Sequence, residues 1–298
     1  MINKTTVTSL LLLAALTTSV SSSIAVPERK QIAEAPAGSK VKQLSKEEVD
    51  HLLAQRVEAG LGFNFAQFAN MFLVNSNVML GQSVGLVTGS EKISKSPLMS
   101  PFPQFYKPTL RELLDAIALQ TFSDWKYDPS GKYMVNKTRH AAEMAIFEFS
   151  EHERKKPYEL TMAKGWASSD RGNWTMFSPP IFPVGLDVYE MGTYSSASQS
   201  GQAELYKKVP AELALEWAKR VQPKATKEDL KTAKVGTYDA IFFESMVKSQ
   251  MKKPVHWRQW VFMVGHTCYF IVSSILPEND SKIYPDVEQM LKSFHAQG

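Results

Sequence analysis

The sequence predicts an α+β protein of two small domains, each an antiparallel or mixed sheet covered by amphipathic helices. Three observations support this prediction. Short runs rich in aromatic and β-branched residues recur along the chain, and such runs favour strands. Segments with a 3.6-residue apolar period follow capping residues, as helices do. Hydrophobic residues make up 44% of the 298 positions and aromatic residues 11%, which indicates well-filled cores rather than disorder.

The first 44 residues are expected to lie outside both domains. Lys4, the apolar run Leu10–Leu16 and the small residues ending at Ala25 have the order of a signal peptide, residues 1–25. The apolar run is shorter than the roughly 20 residues that cross a bilayer, so we expect no transmembrane segment after cleavage. Residues 26–44 lack an apolar period and predict a flexible tether. The mature protein is therefore expected to be periplasmic or secreted.

Residues 45–138 are predicted to form the first domain. Ser45 and Glu48 have the spacing of a capping box, which indicates the start of a helix. The pattern then predicts, in order, a helix over Phe65–Leu73, short apolar runs at Val78–Leu80 and Val84–Val87, and a loop over Glu91–Pro103.

The sharpest local pattern begins at Thr109. Thr109 and Glu112 form a second capping box, and apolar residues line one face of the helix that follows. Trp125–Val135 then predicts a strand, an Asp-Pro-Ser-Gly turn and a second strand. Thr109–Val135 resembles the second half of the small domain at the N-termini of secretins and TonB-dependent receptors. The resemblance implies a module that contacts partners in the envelope and has no chemistry of its own.

Residues 139–157 are predicted to connect the domains and to contain an apolar strand over Met144–Phe149. Residues 158–298 are predicted to form the second domain. Strands are expected over Leu160–Ser168, Trp174–Ser178 and Leu186–Tyr194, followed by a helix that Pro210 opens and that runs over Ala211–Val221. Three more strands follow, Ala240–Val247, Trp257–Val264 and Cys268–Leu276.

A hairpin turn and a closing helix complete the second domain. Gly265 stands where a type II′ turn requires positive φ. Asp280 or Ser281 is placed to cap a helix whose apolar stripe contains Ile283, Val287, Met290, Leu291 and Phe294. The domain resembles the Mog1/PsbP-like fold, and the residues that carry the resemblance are Gly165, Trp166, Gly265, Tyr269, Ser293 and Phe294. The resemblance implies a protein that acts by binding other proteins.

Composition excludes several function classes. A net charge of +4 is too small an excess for a nucleic-acid partner. Cys268 is the single cysteine, so the chain has no internal disulfide, and its place in an apolar strand predicts a buried, inert thiol. None of the six histidines has the spacing of a metal motif. We therefore expect no metal site and no cofactor.

Two groups of residues are weak candidates for ligand or partner binding. Trp257 and Tyr269 lie in adjacent predicted strands, where aromatic residues form either a stacking platform or, more commonly, core. Lys252, Lys253 and Arg258 form either a basic face for an anionic partner or an ordinary solvated surface. The sequence does not decide between these interpretations.

The prediction from sequence is an exported, non-enzymatic protein of the bacterial envelope that acts by protein–protein binding or assembly, with envelope proteins as partners. One alternative is a small-ligand-binding protein with a cleft between its domains. The other is a serine hydrolase, because Gly81–Gly85 has the pattern G-x-S-x-G around Ser83. That pattern needs a strand before the serine and a helix after it, and the downstream sequence is a poor helix start. No catalytic residue is therefore assigned.

Overall fold

The computed structural model describes residues 43–58, 63–130, 144–152, 156–170, 174–180, 185–194, 202–248 and 253–297. They form helices with antiparallel and mixed sheets, which confirms the predicted α+β class. The predicted signal peptide and nearly all of the predicted tether lie outside the described residues. The described chain divides into two compact units. The N-terminal unit holds residues 43–100 and 104–152, and the C-terminal unit holds Pro101–Pro103 and the residues from 156 onward.

The N-terminal unit is a three-stranded mixed sheet with covering helices. Its elements are α1 (Lys46–Ala54), α2 (Phe65–Leu80), β1 (Val84–Thr88), α3 (Glu91–Lys95), α4 (Leu110–Thr121), β2 (Ser123–Tyr127) and β3 (Ala145–Glu151). The strands lie in the order β1-β3-β2, with β3 parallel to β1 and antiparallel to β2. Both predicted capping boxes are present, Ser45 with Glu48 and Thr109 with Glu112.

Two features of this unit differ from the sequence prediction. The apolar run Val78–Leu80 is the last turn of α2, not a separate run, because α2 continues to Gly81, whose positive φ ends it. The predicted loop Glu91–Pro103 begins with the short helix α3, which Ser90 caps. The strand predicted at Met144–Phe149 is present as β3, and it is the central strand of this sheet, paired with both β1 and β2. The second strand of the predicted hairpin, from Lys132, lies outside the described residues.

The C-terminal unit is built on a seven-stranded antiparallel sheet. Its strands are β5 (Ala167–Asp170), β6 (Trp174–Ser178), β7 (Gly185–Thr193), β8 (Lys231–Val235), β9 (Tyr238–Lys248), β10 (Pro254–Val264) and β11 (Thr267–Ile275), in the order β5-β6-β7-β11-β10-β9-β8. Two short strands, β4 (Tyr158–Glu159) and β12 (His295–Ala296), pair separately. Gly265 has a φ of 55° in the two-residue turn between β10 and β11, which confirms the predicted hairpin.

Helices α5 (Gln202–Val221) and α6 (Pro277–Lys292) pack on opposite faces of this sheet. On one face, Gln259 of β10 donates from Nε2 to the carbonyl of Ala214 in α5 at 2.7 Å. On the other face, the buried stripe of α6 packs against a cluster that includes Trp260, Phe262 and Tyr269. Alternate residues of each central strand are therefore buried under different helices.

Several predicted bounds in the C-terminal unit are wrong for identifiable reasons. Helix α5 begins at Gln202, eight residues before Pro210, which lies inside the helix. Helix α6 begins at Pro277 after Leu276, so neither Asp280 nor Ser281 caps it. Strand β8 has a polar, largely exposed sequence, KTAKV. The sequence predicts no strand there, because the segment lacks an alternation of apolar and polar residues. No helix in the described residues is long and apolar enough to cross a membrane.

Candidate functional site

The outer face of α2 is the most unusual surface among the described residues. We define it as Gln67, Asn70, Val74 and Val78, which repeat at intervals of three or four residues and therefore share one side of the helix. The side chain of Val74 is 75% exposed and that of Val78 is 88% exposed. A surface helix normally places charged or polar residues there.

Helix α2 carries no charge along its whole length. Its sixteen residues, FAQFANMFLVNSNVML, include no Asp, Glu, Lys or Arg. Valine is also a weak helix former, because its branched side chain loses rotamer freedom against the preceding turn. Neither solubility nor helix propensity therefore explains the two exposed valines.

The inner face of α2 is firmly packed, so the exposure of its outer face is not a result of fraying. Phe68 and Phe72 are 1% and 2% exposed, and their rings stack at 5.5 Å. The Ser76 hydroxyl donates to the carbonyl of Leu73 at 3.0 Å and accepts from the backbone N–H of Val84 in β1 at 2.9 Å. The helix is thereby hydrogen-bonded to the sheet on the side opposite Val74.

The start of α2 is fixed as well. Asn64 and Gln67 form a reciprocal capping box: the Asn64 side chain accepts from the Gln67 N–H at 2.9 Å, and the Gln67 side chain accepts from the Asn64 N–H at 3.3 Å. Phe63 just before it is 47% exposed, although its carbonyl accepts from the N–H of Leu98 at 2.8 Å. Phe63 therefore keeps a large apolar side chain partly in solvent just before α2 begins.

Among the five residues proposed from sequence for ligand or partner binding, the four that the structure describes are not together on one surface. Trp257 is 2% exposed and lies on the α5 side, where its Nε1 donates to Gln259 at 3.2 Å. Tyr269 is 2% exposed and lies on the α6 side, with its ring 5.5 Å from that of Phe294. Lys253 is exposed, and Lys252 lies outside the described residues. Partner binding by these residues stays a prediction.

Arg258 is the core of a charged cluster instead of part of a basic face. Its guanidinium is 5% exposed and donates to both oxygens of Asp280, each at 2.7 Å. This hydrogen bonding holds the pKa of Asp280 below its ordinary value. The guanidinium also lies 3.8 Å from the ring centroid of Tyr284. Such bidentate pairing suits arginine geometry and stabilises α6 on β10.

The G-x-S-x-G segment does not have the geometry of a nucleophile elbow. Ser83 follows α2 and precedes β1, whereas the elbow places a strand before the serine and a helix after it. Its carbonyl accepts from the N–H of Ala145 at 2.9 Å at the beginning of β3. His152 lies at the far end of β3, seven residues away and hence roughly 23 Å along an extended strand.

The remaining reactive side chains have structural surroundings. Cys268 is fully buried, as predicted, and burial raises the pKa of its thiol well above the ordinary value. His266 lies in the hairpin turn, where its Nδ1 contacts the hydroxyl of Tyr206. Within the described ranges, no three His, Cys, Asp or Glu side chains are grouped as metal ligands.

The outer face of α2 was missed in the sequence analysis, although a signal existed. The prediction ends the helix at Leu73 and treats Val78–Leu80 as a separate apolar run. Continuing the period across the charge-free segment to Leu80 would have placed Val74 and Val78 on one side. The predicted cleft between domains stays a prediction.

Comparison with known proteins gives no family. No family model and no curated protein matches the chain. A solved structure from Bacteroides thetaiotaomicron aligns over 48% of this chain and 46% of its own length, at 12% identity and a TM-score of 0.33. The alignment therefore spans less than half of that protein.

Two further solved structures resemble part of the chain. The PsbP protein of Synechocystis sp. PCC 6803 aligns over 47% of this chain and 86% of its own, at 12% identity and a TM-score of 0.34. LpqN, involved in cell envelope biogenesis of Mycobacterium tuberculosis, aligns over 46% and 81%, at 11% identity and a TM-score of 0.30. A PsbP protein is thus among the solved structures that resemble part of this chain. TM-scores this low carry no argument about function. The secretin resemblance stays a prediction.

Proposed function

We propose that this protein acts in the bacterial envelope by binding another protein, without catalysis, and that the outer face of α2 is its contact surface. The observation that carries the proposal is the exposure of Val74 and Val78 on a helix with no charged residue. Burying an exposed aliphatic side chain contributes about 1.5–3 kcal/mol. These two valines therefore supply an apolar centre for an interface.

The composition of this face indicates what kind of partner it fits. A helix that binds an anionic membrane surface carries Lys or Arg on its polar side, and α2 has neither. The amides of Gln67 and Asn70 beside the valines form hydrogen bonds without charge, as the rim of a protein interface does. We infer a partner protein that presents an uncharged apolar helix or groove.

The location and the absence of chemistry are part of the same proposal. Export rests on the signal-peptide pattern at the start of the sequence. The proposal of a non-enzymatic role is supported by Ser83, the one nucleophile nominated from sequence, whose order of flanking elements is the reverse of that in hydrolases. Assaying the purified protein for hydrolysis of esters would test the non-enzymatic role separately.

Site-specific photo-crosslinking tests the contact surface. A photoreactive benzoyl-phenylalanine placed at Val78 in the full chain is expected to link one specific envelope protein in intact cells. The same residue placed at Met246, a methionine of β9 that is 53% exposed, is the matched control and should not link that protein.

A second arm identifies the contribution of the valines. The double variant Val74→Glu, Val78→Glu should lose binding to the purified crosslinked partner, because two charges would be buried in an apolar contact. Met246→Glu should bind normally. Equal crosslinking at residues 78 and 246, or unchanged binding by the double variant, contradicts the proposal. Linkage only to another copy of the chain shows self-association and also contradicts it.

A further inference from the structure

Three side chains of β6 and β7 carry buried polar atoms with no hydrogen-bond partner in the described part of the chain. They are Trp174 Nε1, Asp187 Oδ1 and the hydroxyl of Tyr189. Buried polar groups in proteins are almost always paired, so each unpaired one requires a reason. Three unpaired polar atoms on two neighbouring strands indicate that one reason applies to all of them.

The strand register places the three groups on one face of the sheet. Trp174 and Tyr189 are directly opposite each other in the β6–β7 pairing, and their rings are 5.3 Å apart. Asp187 precedes Tyr189 by two residues on β7, so both side chains point to the same side. Leu186 and Val188, which alternate with them, belong to the core under α6.

The surroundings of this cluster are apolar. Tyr189 is 1% exposed and Trp174 7%. The Tyr189 ring lies 5.8 Å from that of Phe270, which lies 4.9 Å from Trp217 in α5. Asp187 faces Met176 and Val272 across the two adjacent strand pairs. Burial raises the pKa of Asp187 to about 7 and that of Tyr189 well above its ordinary value.

We propose that Trp174, Asp187 and Tyr189 form a binding site for an uncharged hydroxyl group of a small ligand, an alcohol or a sugar. The indole N–H and the phenol O–H are donors, and Oδ1 of the Asp187 carboxyl group is an acceptor. A hydroxyl group can accept from the first two and donate to the third, so its hydrogen-bonding character matches the donors and the acceptor of the set.

Charged ligand groups fit this set less well. An ammonium has no lone pair for the indole and phenol hydrogens, and a carboxylate would meet the carboxylate of Asp187. Either ion would also lose its hydration in apolar surroundings. The chemistry of the three groups therefore selects a neutral ligand.

The free protein should lose no stability when one of the unpaired groups is removed. Replacing a buried, unpaired polar atom by an apolar one is neutral or favourable, because no hydrogen bond is lost and no polar group remains desolvated. Tyr189→Phe removes only the hydroxyl and is expected to leave the melting temperature unchanged or raised. Ser273→Ala is the matched control. The Ser273 hydroxyl is likewise buried without a hydrogen-bond partner among the described residues, but Ser273 lies opposite Leu186 in the β7–β11 register, on the α6 face of the sheet.

Nuclear magnetic resonance of the tryptophan indole N–H groups in the full chain tests binding directly. Trp174→Phe assigns the signal of Trp174. D-Glucose and glycerol are the neutral probes, and sodium acetate and ammonium chloride are the charged ones. We expect the Trp174 signal to shift saturably with a neutral probe, and the affinity to fall about tenfold or more in Asp187→Leu and Tyr189→Phe but not in Ser273→Ala.

Each other outcome overturns the proposal. A stronger saturable response to acetate or ammonium identifies an ion site, and no saturable response to any probe means that the groups bind at most water. A clear loss of stability in Tyr189→Phe shows that the hydroxyl has a partner in the folded protein. Any of these three results contradicts a site for a neutral hydroxyl ligand.

Discussion

Helices α2 and α6 have the same structural role, but their solvent-facing sides differ in composition. Each covers a sheet with a buried stripe, which in α6 includes Val287 and Met290 and in α2 includes Phe68 and Phe72. The exposed side of α6 carries Glu278, Lys282, Glu288 and Lys292, whereas α2 has no charge and exposes Val74 and Val78.

The difference shows that packing determines only the inner side of a covering helix. Apolar residues on that side are required by the core, but the core places no demand on the outer side. A charged outer side is the default for a helix that meets only water. The outer side of α2 departs from this pattern, and the contrast is the basis of the proposed contact surface.

The largest expected effects come from the inner faces, where the two helices should behave alike. Phe72→Ala in α2 is expected to lower the free energy of unfolding by about 3–5 kcal/mol, and Met290→Ala in α6 by about 2–5 kcal/mol. Both losses arise from cavities in packed cores. Denaturant unfolding measures them, and a cost below about 1 kcal/mol for Phe72→Ala would show that α2 is not anchored as the structure describes.

The charged cluster under α6 gives the next largest effect. Arg258→Ala leaves Asp280 without its bidentate partner, and since Asp280 is partly exposed we expect a loss of about 2–3 kcal/mol. The pKa of Asp280 in the folded state lies below its ordinary 3.8. The stabilisation is therefore present above that pH and is lost as pH falls below it. In Arg258→Ala, unfolding followed from pH 7 to pH 2 should show a smaller acid-induced loss.

Asp187 should show the opposite pH dependence. Its pKa is about 7 in the folded state against an ordinary 3.8, so the folded protein binds more protons between these values. Stability should fall as pH rises from about 4 to about 7, and Asp187→Asn should remove most of that slope, with a gain of up to about 4 kcal/mol at pH 8. A wild-type stability that rises over this range, or a variant with an unchanged slope, contradicts the buried, unpaired carboxyl.

The smallest effect on stability is expected on the outer face of α2. Val74→Glu and Val78→Glu should each change the free energy of unfolding by less than about 0.5 kcal/mol, because both side chains are already in solvent and glutamate is the better helix former. Thermal unfolding of the single variants measures this. A loss of several kcal/mol would mean that these valines belong to the core of the protein.

The sequence was most informative where a single local rule determines structure. Capping boxes at Ser45 and Thr109 located the starts of two helices, and Gly265 located a hairpin turn. Each is a backbone requirement that one or two side chains meet. The α+β class followed from the periodicities, which the packing of the sheets then enforces.

The rest depended on tertiary context. Pro210 was placed at the start of α5 by its usual preference, but the helix continues through it. Strand β8 is held at the sheet edge by its pairing with β9, which no alternation in its own sequence reveals. The cluster of Trp174, Asp187 and Tyr189 depends on the register of two strands, and register is not visible in a single run of residues.

The most direct test of the central claim is the affinity for the protein that crosslinks at residue 78. It should be measured side by side for the wild type, for Val74→Glu with Val78→Glu, and for Met246→Glu, all with matched melting temperatures. We predict that the double variant binds at least about a hundredfold more weakly, as expected for two central apolar contacts, while Met246→Glu binds as the wild type does. Equal affinities for the three proteins would contradict the account.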